Sequence, residues 1–293
     1  MSAVATAPVT RTAAEQRREA TLERLRLIRR SPTVIVGGLV LLFWVACALF
    51  ASHIAPHDPI APDVLHKLRP PSRDHLFGTD SLGRDVMSRV IHGARGILVV
   101  APLATLFGTV LGTSIGLVAG YFRGVVEEVL MRITDAFLAI PVVISATLAL
   151  VALGPSTVGV IFVIGLVFAP IIARTVRAAV LTEAGLEYVQ AAKLRKERGP
   201  YVMFVEILPN VLGPVFVEFT VRLGYAIFAT ATLSFIGFGI QPPAPDWGLS
   251  IFEQYSFLVG GLWWPTLFPA LAIASLVVAV NLVADGLNQA LER

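Results

Sequence analysis

Few groups in this 293-residue chain could do chemistry, and most sit where chemistry is difficult. Its five histidines, His53, His57, His66, His75 and His92, all fall in one stretch. Imidazole is a common metal ligand, yet their spacing fixes no site and no cysteine joins them, so no metal is expected. Glu218 and Arg222 stand four apart inside an apolar run, in the order that favours a helical ion pair. Charges at that depth are costly unless paired or facing water, so the two read either as a polar lining of a translocation path or as a structural pair. Arg132 and Asp135, three apart near the end of another apolar run, could pair or snorkel. A proton carried on Glu218 or Asp135 would make the chain an ion-coupled secondary transporter. Enzyme chemistry is not visible, because there is no G-x-x-x-x-G-K-[ST] phosphate loop, zincin pair, strand-to-helix nucleophile elbow or carboxylate dyad. No catalytic residue is assigned, and any ATP hydrolysis must come from a partner. Cys47, alone, excludes an internal disulfide.

These groups are embedded in a chain of membrane composition. Hydrophobic residues make up 56% and charged residues 15%, with mean hydropathy +0.77, against about 25% charged in a soluble domain. A spanning helix needs about 20 mostly apolar residues to cross about 30 Å of hydrocarbon. Uncharged runs at 34–52 and 96–122 supply two spans. The run 136–173 is too long for one crossing and is punctuated at Gly154, Pro155 and Ser156, so it supplies two more. Residues 211–235 and 264–283 complete six spans, which put both termini on one side. Lys and Arg crowd the N-terminal tail, the Arg123 to Arg132 connection and the stretch from Arg174 to Arg198. Only the first opposite loop, with Lys67, Arg69, Arg73, Arg84, Arg89 and Arg95, opposes this, so the termini are expected in the cytoplasm. Trp263 and Trp264 then fall at the outer interface. In the tail, Leu22, Leu25 and Ile28 recur among arginines, as in an amphipathic helix on an anionic leaflet or a solvated basic tail. Gly108, Gly112, Gly116 and Gly120 recur every fourth residue, a stripe that lets another helix approach backbone to backbone.

Three stretches carry recognisable wording. After the first span comes His75-Leu76-Phe77-Gly78-Thr79-Asp80-Ser81-Leu82-Gly83-Arg84-Asp85-Val86-Met87-Ser88-Arg89. Asp80 there is expected to cap a helix lying flat on the membrane, with Leu82, Val86, Met87, Val90 and Ile91 on one face and Arg84, Asp85 and Arg89 opposite. The stretch from Leu233 to Gly248 ends span five with glycines and prolines and shapes an outer loop. Between two apolar runs, residues 183–210 form a charged segment that cannot sit in lipid and must protrude. They contain Glu187-Tyr188-Val189-Gln190-Ala191-Ala192. Together these resemble the HxFGTDxxGRDxxSR signature, the LSFLGLGxQPPxPxWG signature and the cytoplasmic EAA loop of the peptide-importer permeases of the DppC and OppC type. The stretch from Thr266 to Leu287 fits that family's last helix.

The resemblance implies an all-α integral membrane protein of the MetI-like ABC importer permease fold. Residues 1–33 would form a cytoplasmic basic tail and 34–293 a six-span permease domain, with 56–95 external and 183–210 the cytoplasmic coupling loop. In that loop Glu187, Tyr188, Gln190, Ala191, Ala192, Leu194 and Lys196 would dock onto an ATPase subunit. Ala191 and Ala192 would allow close approach, and Tyr188 and Leu194 would fill a pocket. Gln190 stands where many members have Glu. Lys196 stands where they have a helix-breaking glycine, so Gly199 and Pro200 are expected to supply the break. The implied assembly has a second related permease, two ATP-binding cassette subunits using ATP and Mg, and an extracytoplasmic peptide-binding protein, in a bacterial inner membrane. No cofactor is expected on this chain, and no nucleic acid. The expected function is passage of dipeptides or oligopeptides. A permease for nickel or another small solute, a secondary transporter and a membrane scaffold are the alternatives.

Overall fold

A computed structural model describes residues 31–154 and 156–291, so the expected amphipathic helix within residues 1–30, and Pro155 of the expected turn, lie outside the described residues. Helix α1 (Pro32–Ile54) opens on a proline, whose missing N–H would have been an orphan donor in any case. Its buried residues, Gly37, Trp44, Cys47 and Ala51, recur at helical spacing as one stripe, while Leu39, Leu42, Phe43 and Leu49 are exposed. An apolar helix with one buried stripe and an apolar outer face suits lipid rather than water. That stripe lies on helix α9 (Trp264–Leu291): a Cβ on Gly37 would stand 2.6 Å from the Ala279 carbonyl oxygen, and the Trp44 indole donates to Ser275 Oγ at 3.0 Å.

The core is organised around α2 (Val86–Phe122) and α5 (Thr157–Glu183). The expected glycine stripe is the reason. A Cβ on Gly112 would stand 2.6 Å from the Ala169 carbonyl oxygen, and one on Gly116 would stand 2.7 Å from that of Ala173. Glycine therefore permits a backbone approach that alanine would not, and apolar helices in lipid gain their association from such close packing. Long helix α7 (Gly199–Phe235) packs against both and continues through Pro209 and Pro214. Just before Pro209 the chain widens to a π turn over Val202–Ile207, and the Leu208 N–H reaches the Met203 carbonyl, five residues back. A proline ring collides with the carbonyl four residues earlier, and a wider turn relieves that collision.

Three expectations about elements are corrected. Residues 75–91 do not form a separate flat helix: α2 starts at Val86 with Asp85 as its cap and runs without interruption into the second span. Arg84, Asp85 and Arg89, expected on a polar face, are buried at 5%, 2% and 4% exposure. The third span is not straight. Helix α3 (Gly124–Leu138) and helix α4 (Val142–Leu153) meet at 89°, because Pro141 disfavours helix at Ile140 and lacks a donor of its own. Twelve residues of α4 rise only about 18 Å, so among the described residues five helices are long enough to cross alone and a sixth crossing needs the bent pair. Trp264 is also not an interface anchor. It is 5% exposed, and its indole donates to the Thr79 carbonyl at 3.1 Å, above Gly78, whose φ of +73° suits only glycine comfortably.

Where the turn at 154–156 is expected, α4 ends at Leu153 with Gly154 at φ +79°, and the Ser156 hydroxyl caps α5 by accepting from the Gly159 N–H. The helices give the molecule two ends. At one, the segment between α1 and α2 meets helix α8 (Trp247–Gln254) and the start of α9; the Trp247 indole donates to the Val90 carbonyl at 2.8 Å. At the other lie the end of α2, the segment between α5 and α7, and the adjoining start of α1 and end of α9, where Gly286 faces Val34.

Candidate functional site

The charged segment folds as a short helix, α6 (Glu187–Leu194), clasped by its neighbours. Val189 and Ala192, three apart, are both fully buried and face the π turn, where Val202 and Ile207 are also fully buried. Ala191 and Leu194 face outward, Leu194 at 84% exposure. The expected pair of small residues is therefore split: Ala191 is presented to the outside, while Ala192 is small because the chain itself closes over it. Tyr188 is a latch. Its hydroxyl donates to Glu183 Oε1 on α5 and accepts from Asn210 Nδ2 on α7 at 2.9 Å. Partial burial, and then the Glu183 carboxylate beside it, push that hydroxyl up to about 12, so it remains a donor. Gln190 donates to the Ala184 carbonyl at 2.8 Å, binding the helix to its own entry loop. Glu187 is exposed in the first turn, where a carboxylate favours the helix dipole.

The end of α6 corrects an expectation. Gly199 and Pro200 do not break it; they begin α7, with proline in its first turn. The helix stops at Leu194. The Glu197 N–H reaches the Ala192 carbonyl at 3.2 Å, the Lys196 N–H reaches that of Lys193 at 2.9 Å, and Lys196 itself takes φ +59°. That is the Schellman arrangement, with lysine at the left-handed position that glycine usually fills. Lys193 extends its ammonium over the Tyr121 ring at 5.3 Å, fastening α6 to the end of α2.

Glu218 and Arg222 pair on α7, Arg222 Nε to Glu218 Oε2 at 3.0 Å, and Glu218 Oε1 accepts from the Thr175 hydroxyl of α5 at 2.9 Å. One charge pair thus links two helices. Arg222 also borders an apolar cavity of about 260 Å³ with Tyr225, Phe228, Ile164 and Val143, which lies between α4, α5 and α7. Arg132 and Asp135 do not pair. Arg132 binds Glu128 at 2.8 Å, one turn away, and Asp135 binds Arg174 of α5.

At the opposite end, the two longest motifs fold into one unit. Asp80 does not cap a helix; it accepts Arg84 Nε at 2.6 Å, and Arg84 in turn binds Glu253 of α8 at 2.7 Å. Ser81 and Gln254 exchange hydrogen bonds at 3.2 and 2.9 Å. Asp246 caps α8 by accepting the Leu249 N–H, and burial raises its carboxyl above the ordinary range. The four-residue spacing of Asp80 and Arg84 is a signal from which their pair could have been read in place of a cap, but nothing local pointed to Glu253.

Among the described residues, five helices long and apolar enough to cross a membrane, with a bent pair that together is long enough for a sixth, define a multi-span helical membrane protein. Residues 112–293 match the family described as binding-protein-dependent transport system inner membrane component, and residues 23–71 the N-terminal TM domain of oligopeptide transport permease C. The chain is 38% identical to the di/tripeptide transport system permease protein DppC of Pseudomonas aeruginosa, over 88% of this chain and 87% of that one. It is 34% identical to the glutathione transport system permease protein GsiD of Pectobacterium atrosepticum, over 91% and 89%. In fold it resembles a chain of the MetNI methionine ABC transporter in inward facing conformations, with TM-score 0.56 and 19% identity over 71% of this chain and 98% of that one. The chain belongs to the family of binding-protein-dependent transport system inner membrane components, and is a permease of the ABC-importer type.

Proposed function

We propose that this permease forms half of a path for dipeptides or oligopeptides across a bacterial inner membrane, paired with a second, related permease. Two ATP-binding cassette subunits, which use ATP and Mg, dock on α6, and an extracytoplasmic peptide-binding protein delivers substrate at the opposite end. The termini and the α6 loop are cytoplasmic, and the segment 56–95 is external. One observation carries the reading: α6 turns an exposed Ala191 and Leu194 outward, while Tyr188 fastens the helix to both α5 and α7. A push on α6 therefore passes into the helix that bears Glu218 and Arg222, and rocking of packed helices between two states would follow. The peptide class is supported by relatives named for di/tripeptide, dipeptide and glutathione transport.

Leu194→Asp tests the docking face, since a residue this exposed is not needed for the fold. Co-purification of the ATPases and peptide uptake are expected to fall at least about tenfold, the scale of one lost apolar anchor at an interface. Membrane insertion should be unchanged. Wild-type uptake with normal ATPase recovery would remove α6 as the docking helix.

A further inference from the structure

The transport reading gives no role to a side-chain cluster at the end away from α6. Asp85, its side chain 1% exposed, caps α2 through Oδ2, which accepts the Ser88 N–H at 2.8 Å and the Ser88 hydroxyl at 2.7 Å. Its other oxygen, Oδ1, faces two imidazoles, with His75 Nδ1 at 2.9 Å and His57 Nδ1 at 3.8 Å. The two rings lie 4.6 Å apart, and one ligand atom from each of the three residues falls within 4.8 Å of the others. They border a cavity of about 520 Å³ that His66 shares, its Nδ1 held by Asp63 Oδ2 at 2.6 Å and its ring 6.4 Å from that of His75.

Hydrogen bonding alone accounts for His75 against Asp85. The His57 backbone N–H donates to the Ser88 hydroxyl oxygen at 3.1 Å, which brings that residue beside Asp85, and its 43% exposed imidazole lies over the His75 ring with Nδ1 3.8 Å from Asp85 Oδ1. The separations suit a shared cation. With bonds of about 2.0–2.2 Å in a tetrahedral arrangement, zinc holds its ligand atoms about 3.3–3.6 Å apart, a range that the 2.9 and 3.8 Å separations of the two imidazoles from Asp85 bracket. Two imidazole nitrogens and a carboxylate oxygen are a donor set that favours zinc and similar divalent ions over copper(I), which wants sulfur. Ser88, on the far oxygen of Asp85, is the kind of outer partner that orients a metal-binding carboxylate.

We propose that His57, His75 and Asp85 form a binding site for one divalent transition ion of the zinc class, placed to clip the segment after α1 onto the start of α2. His66 or water completes the coordination. The site is independent of the transport reading and is tested without uptake. The full chain, purified in detergent without a histidine tag and stripped with a chelator, is titrated with Zn²⁺ against a chromophoric chelator. One tight site is expected, weakened about 10–100-fold or more in His57→Ala and in His75→Ala, the range for loss of a metal-site partner. His53→Ala should bind like wild type. Zn²⁺ should also raise the melting temperature of the wild type but not of His57→Ala, whose partly exposed position spares the fold. No tight binding by the wild type, or affinity unchanged in both cluster variants, would overturn the assignment.

Discussion

Glu218 and Arg222 show how a charge is kept inside an apolar helix. The pair is 15% and 17% exposed, and its Thr175 partner comes from another helix, so each charge is neutralised and the carboxylate is also hydrogen-bonded. Removing one member of a buried pair typically costs about 3–5 kcal/mol, whereas removing both leaves no uncompensated charge. With this partial exposure, Glu218→Gln and Arg222→Gln are each expected to lose toward the lower end of that range, and the double variant to recover part of it. Complex yield and peptide uptake measured on all three variants decide the matter. Additive losses would reject the pair, and a Glu218 defect that Arg222→Gln never rescues would favour proton coupling instead. The pairing of these two was legible from their spacing; Thr175 was not, because a third partner 43 residues away depends on how α5 lies against α7.

At the scale of elements, the α6 loop shows the chain tolerating a residue that its local geometry disfavours. A left-handed lysine costs roughly 1–2 kcal/mol relative to the right-handed form, a penalty glycine escapes. Lys196→Gly should therefore stabilise the loop by about 1 kcal/mol, read as slower hydrogen exchange at the Lys196 and Glu197 amides. Faster exchange would mean that the Schellman closure does not govern the end of α6. The same element explains why its two alanines are not equivalent. A bulky side chain at Ala192 would force apart α6 and the π turn, with strain of about 1–3 kcal/mol or more, whereas at Ala191 it would meet only what docks there. The family resemblance implied a helix here, but its eight residues are too few for periodicity to tell which alanine faces inward. The bend between α3 and α4 was missed for a related reason, since an uncharged run looks the same whether it crosses straight or turns at a proline.

For the whole molecule, α7 separates the α6 loop from the segment containing α8, placing them at opposite ends of one 37-residue helix. If the loop is cytoplasmic, then in a Cys47→Ser background Lys196→Cys should resist an impermeant thiol reagent in intact cells and react once they are opened. Val259→Cys, at a 96% exposed position beyond α8, should react in intact cells. Labelling in the reverse order would invert the topology and remove the ATPases from α6. By itself the sequence determined what local spacing and composition can encode: the number of apolar runs, the glycine stripe that seats α2 on α5, the Glu218–Arg222 pair and the protruding charged loop. Tertiary structure alone decided which residues from distant stretches meet. It drew Arg84 to Glu253, set Trp264 over Gly78, gathered His57 and His75 on Asp85, and closed the chain over Ala192. The physical reason is that periodicity records only which face of a helix is apolar, while a buried polar group must find its partner wherever the fold brings one.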